Sequence, residues 1–156
     1  MRRKDREVTD RAWMEDVLHG GQVIQIAMTD AEGGPYLVTM GYGFKDGVIF
    51  LHGAHQGRKN DILAVNPRVC FHVATDIVVL RQEKSMRYRS VTGFGRISTV
   101  TDLVEKNAGL KILMDHYDGP HEDLDEKGLA RVWVARLDIE NMTGKCANYD
   151  DLTHRI

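Results

Sequence analysis

The residues with the clearest capacity for chemistry form one short run, His52-Gly53-Ala54-His55-Gln56-Gly57-Arg58-Lys59. Its pattern predicts that a strand ends, a glycine-bearing loop follows and a helix begins. Arg58 and Lys59 then fall in the first helical turn, where the helix dipole disfavours cations by roughly 0.3–1 kcal/mol each. A bound phosphate removes this conflict, because helix-start amides and two cations would converge on it. The alternative is a pair of solvated surface cations.

Two further segments carry glycines inside predicted strands, where glycine costs stability and often marks close approach of a ligand or another backbone. Residues 39–43, Thr-Met-Gly-Tyr-Gly, could support a flat ring whose edge bonds to strand amides and carbonyls. Residues 88–95, Tyr-Arg-Ser-Val-Thr-Gly-Phe-Gly, include Arg89 and Ser90, which could reach a phosphate. A bulge or a barrel corner explains the same glycines without a ligand.

The histidines do not indicate a metal site. His52 and His55 have no third ligand at a telling distance, and the cluster over residues 116–123 falls in a segment that reads as solvated. HExxH, paired CxxC, P-loop, dinucleotide GxGxxG and GxSxG patterns are missing from the sequence. We therefore expect no metal, and neither a zinc enzyme nor a serine hydrolase is indicated.

Length and charge narrow the class of protein. The 156 residues predict one domain spanning residues 1–156, and a net charge of -2 gives no support for nucleic-acid binding. No apolar run approaches a membrane span, and the basic residues at 2–6 are followed by acidic and polar ones rather than a signal sequence. With Cys70 and Cys146 interpreted as reduced thiols, we expect a cytoplasmic protein.

Periodicity predicts a mainly β chain. Strands are predicted over residues 23–29, 36–44, 48–53, 69–73, 87–98 and 131–140. Residues 77–80 either extend the fourth strand or begin a turn. Asp46-Gly47 predicts a tight hairpin, and residues 142–156 read as a polar tail.

Three helices complete the pattern, over residues 10–19, 57–65 and 102–117, with an acidic loop at 121–128. Asp102 and Glu105 make a capping pair for the third helix. Its predicted apolar face comprises Leu103, Asn107, Leu110, Met114 and Tyr117, widened by Leu113. Hairpin strands with helices between them indicate an α+β fold, but the pattern alone leaves a barrel and an open sheet as alternatives.

The three chemistry-bearing segments also carry a family likeness. Together with the flanking residues 2–7, 35–38, 66–71 and 142–145, their order and spacing resemble the pyridoxamine 5′-phosphate oxidase-like FMN-binding split barrels, and among these the nitroimidazole-resistance type. The resemblance implies an antiparallel split β-barrel with flanking helices, and a homodimer with two FMN sites at the interface. Thr39 and Gly41 depart from the family, where proline and a larger polar residue are common, and the segment 76–85 also departs.

The resemblance also implies which residues hold the cofactor. The isoalloxazine would lie along Thr39, Met40, Gly41 and Tyr42, largely through their backbone. The ribityl phosphate and nearby ring edge would be surrounded by His52, Gly53, Ala54, Arg58 and Lys59. The same or the facing subunit would add Tyr88, Arg89 and Ser90, with Met142, Thr143 and Lys145 also approaching.

The activity expected from this likeness is electron transfer from a nicotinamide donor to a small acceptor such as a nitroaromatic, or to a redox partner. His52 is the candidate catalytic residue, because a near-neutral imidazole can donate a proton or hold an anion. It could equally be a structural histidine of the phosphate loop. Three other functions remain open: an electron-carrier module, a haem protein with His52, His55 or His116 as axial ligand, and a cofactor-free structural dimer.

Overall fold

The structure is a computed structural model that describes residues 3–119 and 124–149. Its strands are β1 (Glu7–Val8), β2 (Ile24–Thr29), β3 (Pro35–Met40), β4 (Tyr42–Lys45), β5 (Val48–Gly53), β6 (Arg68–Leu80), β7 (Ser85–Thr99) and β8 (Trp133–Ala147). Its helices are a 3-10 turn (Lys4–Arg6), α1 (Arg11–Gly20), α2 (Arg58–Val65), α3 (Leu103–His116) and α4 (Glu126–Arg131). The fold is therefore α+β and mainly β, as predicted.

All strand pairs in the sheet are antiparallel, and the order is β3-β2-β6-β7-β8-β5-β4, with β1 added beside β8. The two end strands, β3 and β4, are consecutive in the chain and joined by Gly41 alone. The sheet must therefore curl until its opposite edges meet at one residue. Within the described residues these edges do not pair, so the barrel is split rather than closed.

The core lies inside the curl and follows the period-2 alternation expected of strands. Along β6, Val69, Phe71 and Val73 are buried and their neighbours point outward. Helix α1 begins at Asp10, whose carboxylate accepts the Trp13 amide at 2.7 Å, and closes one end of the barrel with an apolar face. The predicted alternation is confirmed, and of the two candidate caps in the sequence, Thr9 and Asp10, the helix uses Asp10.

Helix α3 packs outside the barrel, and its predicted face is partly confirmed, because Leu113 is buried and Leu110 packs against the cluster around Phe50. The Asp102 cap is confirmed, with its carboxylate accepting the Glu105 amide at 2.8 Å. The buried positions are Lys106, Gly109 and Leu113, whereas Leu103 is 40% exposed. Gly109 lies against Phe50 and Gly43 lies against the helix backbone at Leu113. Close approach through glycine shifts the packing face, so hydrophobic periodicity did not predict the buried positions Lys106 and Gly109.

Several predicted boundaries are also corrected. The predicted strand 36–44 is two strands, because the chain leaves one sheet edge for the other at Gly41. The predicted tail is strand up to Ala147, since alternate polar residues face outward along β8, and residues 150–156 lie outside the described part. Helix α4 occupies the end of the predicted acidic loop and extends to Arg131, so β8 begins only at Trp133. Residues 77–80 extend β6.

The strand glycines at 93 and 95 have a structural explanation. A Cβ on Gly93 would lie 2.5 Å from the Phe71 ring, and one on Gly95 would overlap the Asp138 carbonyl. A register shift in the β7–β8 pairing falls between Phe94 and Gly95. These glycines therefore admit neighbouring protein atoms rather than a ligand.

Gly43→Ala tests the contact between the barrel and α3. Its Cβ would lie 2.6 Å from Leu113 Cα and 2.7 Å from the Ile112 carbonyl, and backbone cannot yield there as a side chain could. We expect the free energy of unfolding to fall by about 1–3 kcal/mol in urea titration. The matched control is Gly20→Ala, whose Cβ would meet Thr75 at 3.8 Å and which should leave stability within about 1 kcal/mol of wild type. Equal stabilities for the two variants would contradict this packing.

Candidate functional site

At the start of α2, the first backbone amides of the helix have no side-chain cap. Gly57 is its N-cap residue, with φ of 134°, a value that L side chains rarely adopt. Its carbonyl accepts the Asn60 amide at 2.8 Å and the Asp61 amide at 3.2 Å. The amides of Arg58 and Lys59 precede these bonds, and glycine offers them no side-chain cap. This arrangement suits an anion, as the sequence predicted.

Lys59 is a half-buried cation beside these amides. Its ammonium lies 4.4 Å from the centre of the Trp133 ring and would lie 3.4 Å from a Cβ on Gly53. It donates to the Asn60 side-chain oxygen at 2.8 Å, and no carboxylate among the described residues forms an ion pair with it. Burial lowers its pKa. A cation held in this way gains from an anionic ligand.

Arg58 points to the other side of the helix start. Its guanidinium lies 4.8 Å from the centre of the Tyr36 ring, and it forms a long ion pair of 3.5 Å with Asp30. Its side chain is 62% exposed, so this pairing is weakly held. Both cations belong to the first turn of α2. The Arg58 side chain contacts the β2–β3 hairpin, and the Lys59 side chain contacts the start of β8.

The loop between β5 and α2 is pinned at both ends. Asn60 donates to the Ala54 carbonyl at 2.9 Å, and His55 Nε2 donates to the Ala130 carbonyl of α4 at 3.1 Å. His52 stays exposed on β5, opposite Val134. His52 is thus an exposed histidine next to this loop, whereas the Nε2 of His55 is already engaged.

The predicted ring-binding segment lies beside this loop. Tyr42 pairs with Leu51, and the same register continued places Met40 beside Gly53. The side chain of Tyr42 is wholly buried, donating its hydroxyl to the Leu18 carbonyl at 2.5 Å, and burial raises its pKa. Only the backbone of Tyr42 can contribute to a site, whereas Thr39 faces outward.

Tyr88 and Ser90 lie elsewhere, on the outer face of the sheet. They line a pocket of about 380 Å³ with Thr92, Thr143, Lys145 and others. His72, which the sequence analysis did not single out, also lines it, with Nδ1 2.9 Å from the Thr92 hydroxyl, and burial together with Lys145 lowers its pKa. Its alternation with the core residues of β6 was the signal that could have found it.

Arg89 does not join Tyr88 and Ser90, because neighbouring strand residues face opposite sides. Its guanidinium binds Asp16 and Asp76, each at 2.5 Å, and lies 5.9 Å from the centre of the Trp13 ring. Burial opposes the charge of Asp76, but the hydrogen bond and charge of Arg89 outweigh it and lower the pKa of that carboxyl. In this structure Arg89 anchors α1 to the sheet.

The predicted site therefore falls into two separate parts of one chain. Gly53 and its loop pair with Trp133 at the start of β8, whereas Ser90 pairs with Lys145 near its end. Twelve residues of strand lie between these points, roughly 40 Å of contour at about 3.3 Å per residue. We call the first part the loop half (residues 39–42 and 52–59) and the second the face half (Tyr88, Ser90 and their pocket).

Comparison with known proteins identifies the lineage. The sequence profile of the family described as pyridoxamine 5′-phosphate oxidase matches residues 10–146. The chain belongs to the pyridoxamine 5′-phosphate oxidase family. None of the curated proteins compared with the sequence matches it. The loop half and the face half both lie within the matched region of this family member.

Solved structures share the fold. A protein of Bacteroides thetaiotaomicron assigned to 5-nitroimidazole antibiotic resistance is 28% identical, with a TM-score of 0.82 over 89% of this chain and 85% of that one. An FAD- and haem-binding protein of Mycobacterium smegmatis is 24% identical, with a TM-score of 0.80 over 94% and 76%. A flavocytochrome of Azotobacter vinelandii is 18% identical, with a TM-score of 0.77 over 99% and 76%.

Two structural findings concern membrane spans and metal sites. Across residues 3–119 and 124–149, no helix has the length and apolar character needed to cross a bilayer. Within that same part of this family member, no group of three His, Cys, Asp or Glu side chains gathers as a metal site would require.

Arg89→Met tests the anchoring role of this residue. The variant leaves Asp16 and Asp76 without their shared cation, so the free energy of unfolding at pH 7 should fall by about 1–2 kcal/mol. Because the folded pKa of Asp76 is lowered, its stabilising contribution exists above the unfolded value near 4 and disappears as pH falls through the folded value. The deficit should therefore shrink towards roughly pH 3.

Arg87→Met is the matched control, because the Arg87 guanidinium lies 5.5 Å from the centre of the Tyr149 ring with no carboxylate ion pair among the described residues. It should change stability little at either pH in urea titrations. A pH-independent loss in Arg89→Met would show that its packing, not its charge, matters.

Proposed function

We propose that this protein binds FMN and is a flavin-dependent oxidoreductase. The observation that carries the proposal is the open start of α2, where the amides of Arg58 and Lys59 have no cap and Lys59 has no carboxylate ion pair among the described residues. Helix-start amides with adjacent cations are a general phosphate-binding arrangement. The flavin-binding relatives with the same fold support this choice of phosphate ligand.

The residues of the loop half fit the phosphate of FMN. Lys59 and Arg58 would hold it from opposite sides, with Arg58 exchanging its long contact to Asp30 for the stronger anion. Gly53 lies beside the Lys59 ammonium, since a Cβ there would be in van der Waals contact with it at 3.4 Å. Residues 39–42, which end at Tyr42 opposite Leu51 and so approach the end of β5, would then lie along the ring.

A homodimer would complete the site. Ser90 of the face half pairs with β8 twelve residues beyond the point where Gly53 pairs with it, and we propose that the face half completes the loop half of a second copy. The outer face between them carries exposed apolar side chains, with Leu37 62% and Phe94 45% exposed. They belong to one row across the sheet, Leu37–Ala27–Cys70–Phe94, which suits burial against another protein.

The chemistry that FMN supplies when bound is electron transfer from a nicotinamide donor to a small acceptor. A nitroaromatic acceptor is supported by the 28% identity to the nitroimidazole-resistance protein. The chain itself binds the phosphate, orients the ring and presents His52. This exposed imidazole stands one residue from Gly53 and is the group we assign to proton donation.

FMN and riboflavin together test the phosphate assignment, because riboflavin lacks the phosphate. Arg58→Ala and Lys59→Ala should each weaken FMN binding roughly 10- to 100-fold, since each removes a charge-assisted contact. Riboflavin binding should change little. Lys45→Ala, which removes an exposed cation at the β4–β5 hairpin, is the control and should bind both flavins as wild type does. Equal losses for FMN and riboflavin would contradict a phosphate role.

The visible absorbance spectrum of the FMN-loaded protein distinguishes an oxidoreductase from a protein that only binds the cofactor. Rapid bleaching on addition of NADH or NADPH, followed by reoxidation with a nitroaromatic, is expected of the oxidoreductase. Reduction by dithionite alone would indicate an electron carrier, and a Soret band in place of flavin bands would indicate haem.

A further inference from the structure

The point where the sheet splits has an unusual hydrogen bond. The β2–β3 ladder pairs Ile24 with Met40, and the same register carried two residues further places Gln22 opposite Tyr42. The Tyr42 amide does not reach the Gln22 carbonyl directly. It donates at 3.0 Å to the hydroxyl of Tyr117, which donates in turn to the Gln22 carbonyl at 2.7 Å. A side-chain hydroxyl thus occupies the next rung of the ladder.

Tyr117 is held in this place by the end of α3. Its neighbour His116 donates Nε2 to the Gly21 carbonyl at 2.7 Å and stacks against the buried Tyr42 ring at 4.5 Å between centroids. The helix closes with the Gly119 amide donating to the Met114 carbonyl at 2.9 Å. Two successive residues of one helix end therefore bind two successive carbonyls before β2.

The hydroxyl also limits the residue that joins the sheet edges. A Cβ on Gly41 would lie 3.3 Å from the Tyr117 oxygen, closer than an ordinary van der Waals contact. Gly41 has no ladder partner of its own in the pairings of β3 and β4. The path of the chain from Met40 to Tyr42 is consequently set by Tyr117 on one side and by β5 on the other.

We propose that Tyr117 is a positioning residue for the flavin site: its hydroxyl is a wedge that holds β4 away from β2 and fixes the backbone of residues 39–42. The inference rests on the proposed function, since those residues are the ones assigned to the ring. Without the hydroxyl, the Tyr42 amide and the Gln22 carbonyl must either pair directly, which moves Gly41 towards β2, or bind water. Both results change the backbone that the ring would contact.

The test compares Tyr117→Phe with Tyr149→Phe, which removes a hydroxyl bonded to Asp76, far from the split. Amide hydrogen exchange of Tyr42, followed by NMR without flavin, reports the wedge itself. The visible spectrum and the dissociation constant of the FMN-loaded protein report its effect on the site. Thermal unfolding of both variants measures any general loss of stability.

We expect Tyr42 exchange in Tyr117→Phe to change about tenfold, FMN binding to weaken several-fold and the flavin bands to shift. Tyr149→Phe should show none of these changes. Unchanged Tyr42 exchange overturns the wedge. Altered exchange with wild-type flavin bands and affinity overturns the positioning role. A wild-type chain that binds no FMN overturns the proposed function and with it the flavin role of Tyr117, whereas the exchange measurement still decides the wedge.

Discussion

One covalent constraint underlies this structure: opposite edges of an eight-strand sheet are joined by Gly41 alone. Two steps of about 3.8 Å separate the Cα atoms of Met40 and Tyr42, so the sheet must curl until its edges meet there, although these edges do not pair within the described residues. Unpaired edges are costly in an exposed sheet. Here α3 lies over β4 and β5, and its terminal Tyr117 satisfies a donor and an acceptor at the split. At the split, therefore, backbone groups are hydrogen-bonded to a side chain instead of to the opposite edge strand.

The candidate site follows from the same constraint. Because β4 starts where β3 ends, the segment at 39–42 meets the end of β5 and the loop that leads into α2. Strand end, glycine loop and helix start then place Gly53, Arg58 and Lys59 together. Cations at a helix start are disfavoured by the helix dipole and gain from an anion, which is the basis on which we propose a phosphorylated cofactor.

The features of the fold that depend on neighbouring residues in the chain were predicted correctly from the sequence. The caps at Asp10 and Asp102, the alternation along β6 and the helix beginning beside Gly57 all arise from neighbouring residues, and all were readable from the sequence. The break at Gly41 was not, because only tertiary packing tells a continuous strand from two edges. Part of the packing face of α3 was missed for the same reason, since Gly43 and Gly109 admit the helix where no apolar residue signals it.

The sequence could not show which candidate residues share a surface, because that depends on the face of the sheet to which each strand residue points. Tyr88, Arg89 and Ser90 are consecutive, yet Arg89 pairs with Asp16 of α1 and Asp76 of β6 while the other two line the outer pocket. The register decides this, and one position earlier or later would reverse it. His72 escaped notice because an isolated histidine in a strand has meaning only beside Thr92 and Lys145, which come from other strands.

The central claim is that one FMN site is shared between the loop half of one copy and the face half of another, and subunit mixing tests it most directly. Arg58→Ala with Lys59→Ala disables the loop half, and Tyr88→Ala with Lys145→Met disables the face half. Each variant alone should lose FMN. A mixed dimer, isolated through two different affinity tags, contains one intact combination and should retain about one FMN per two chains. A mixed dimer that retains none, or a face-half variant that binds FMN normally, would contradict the shared site.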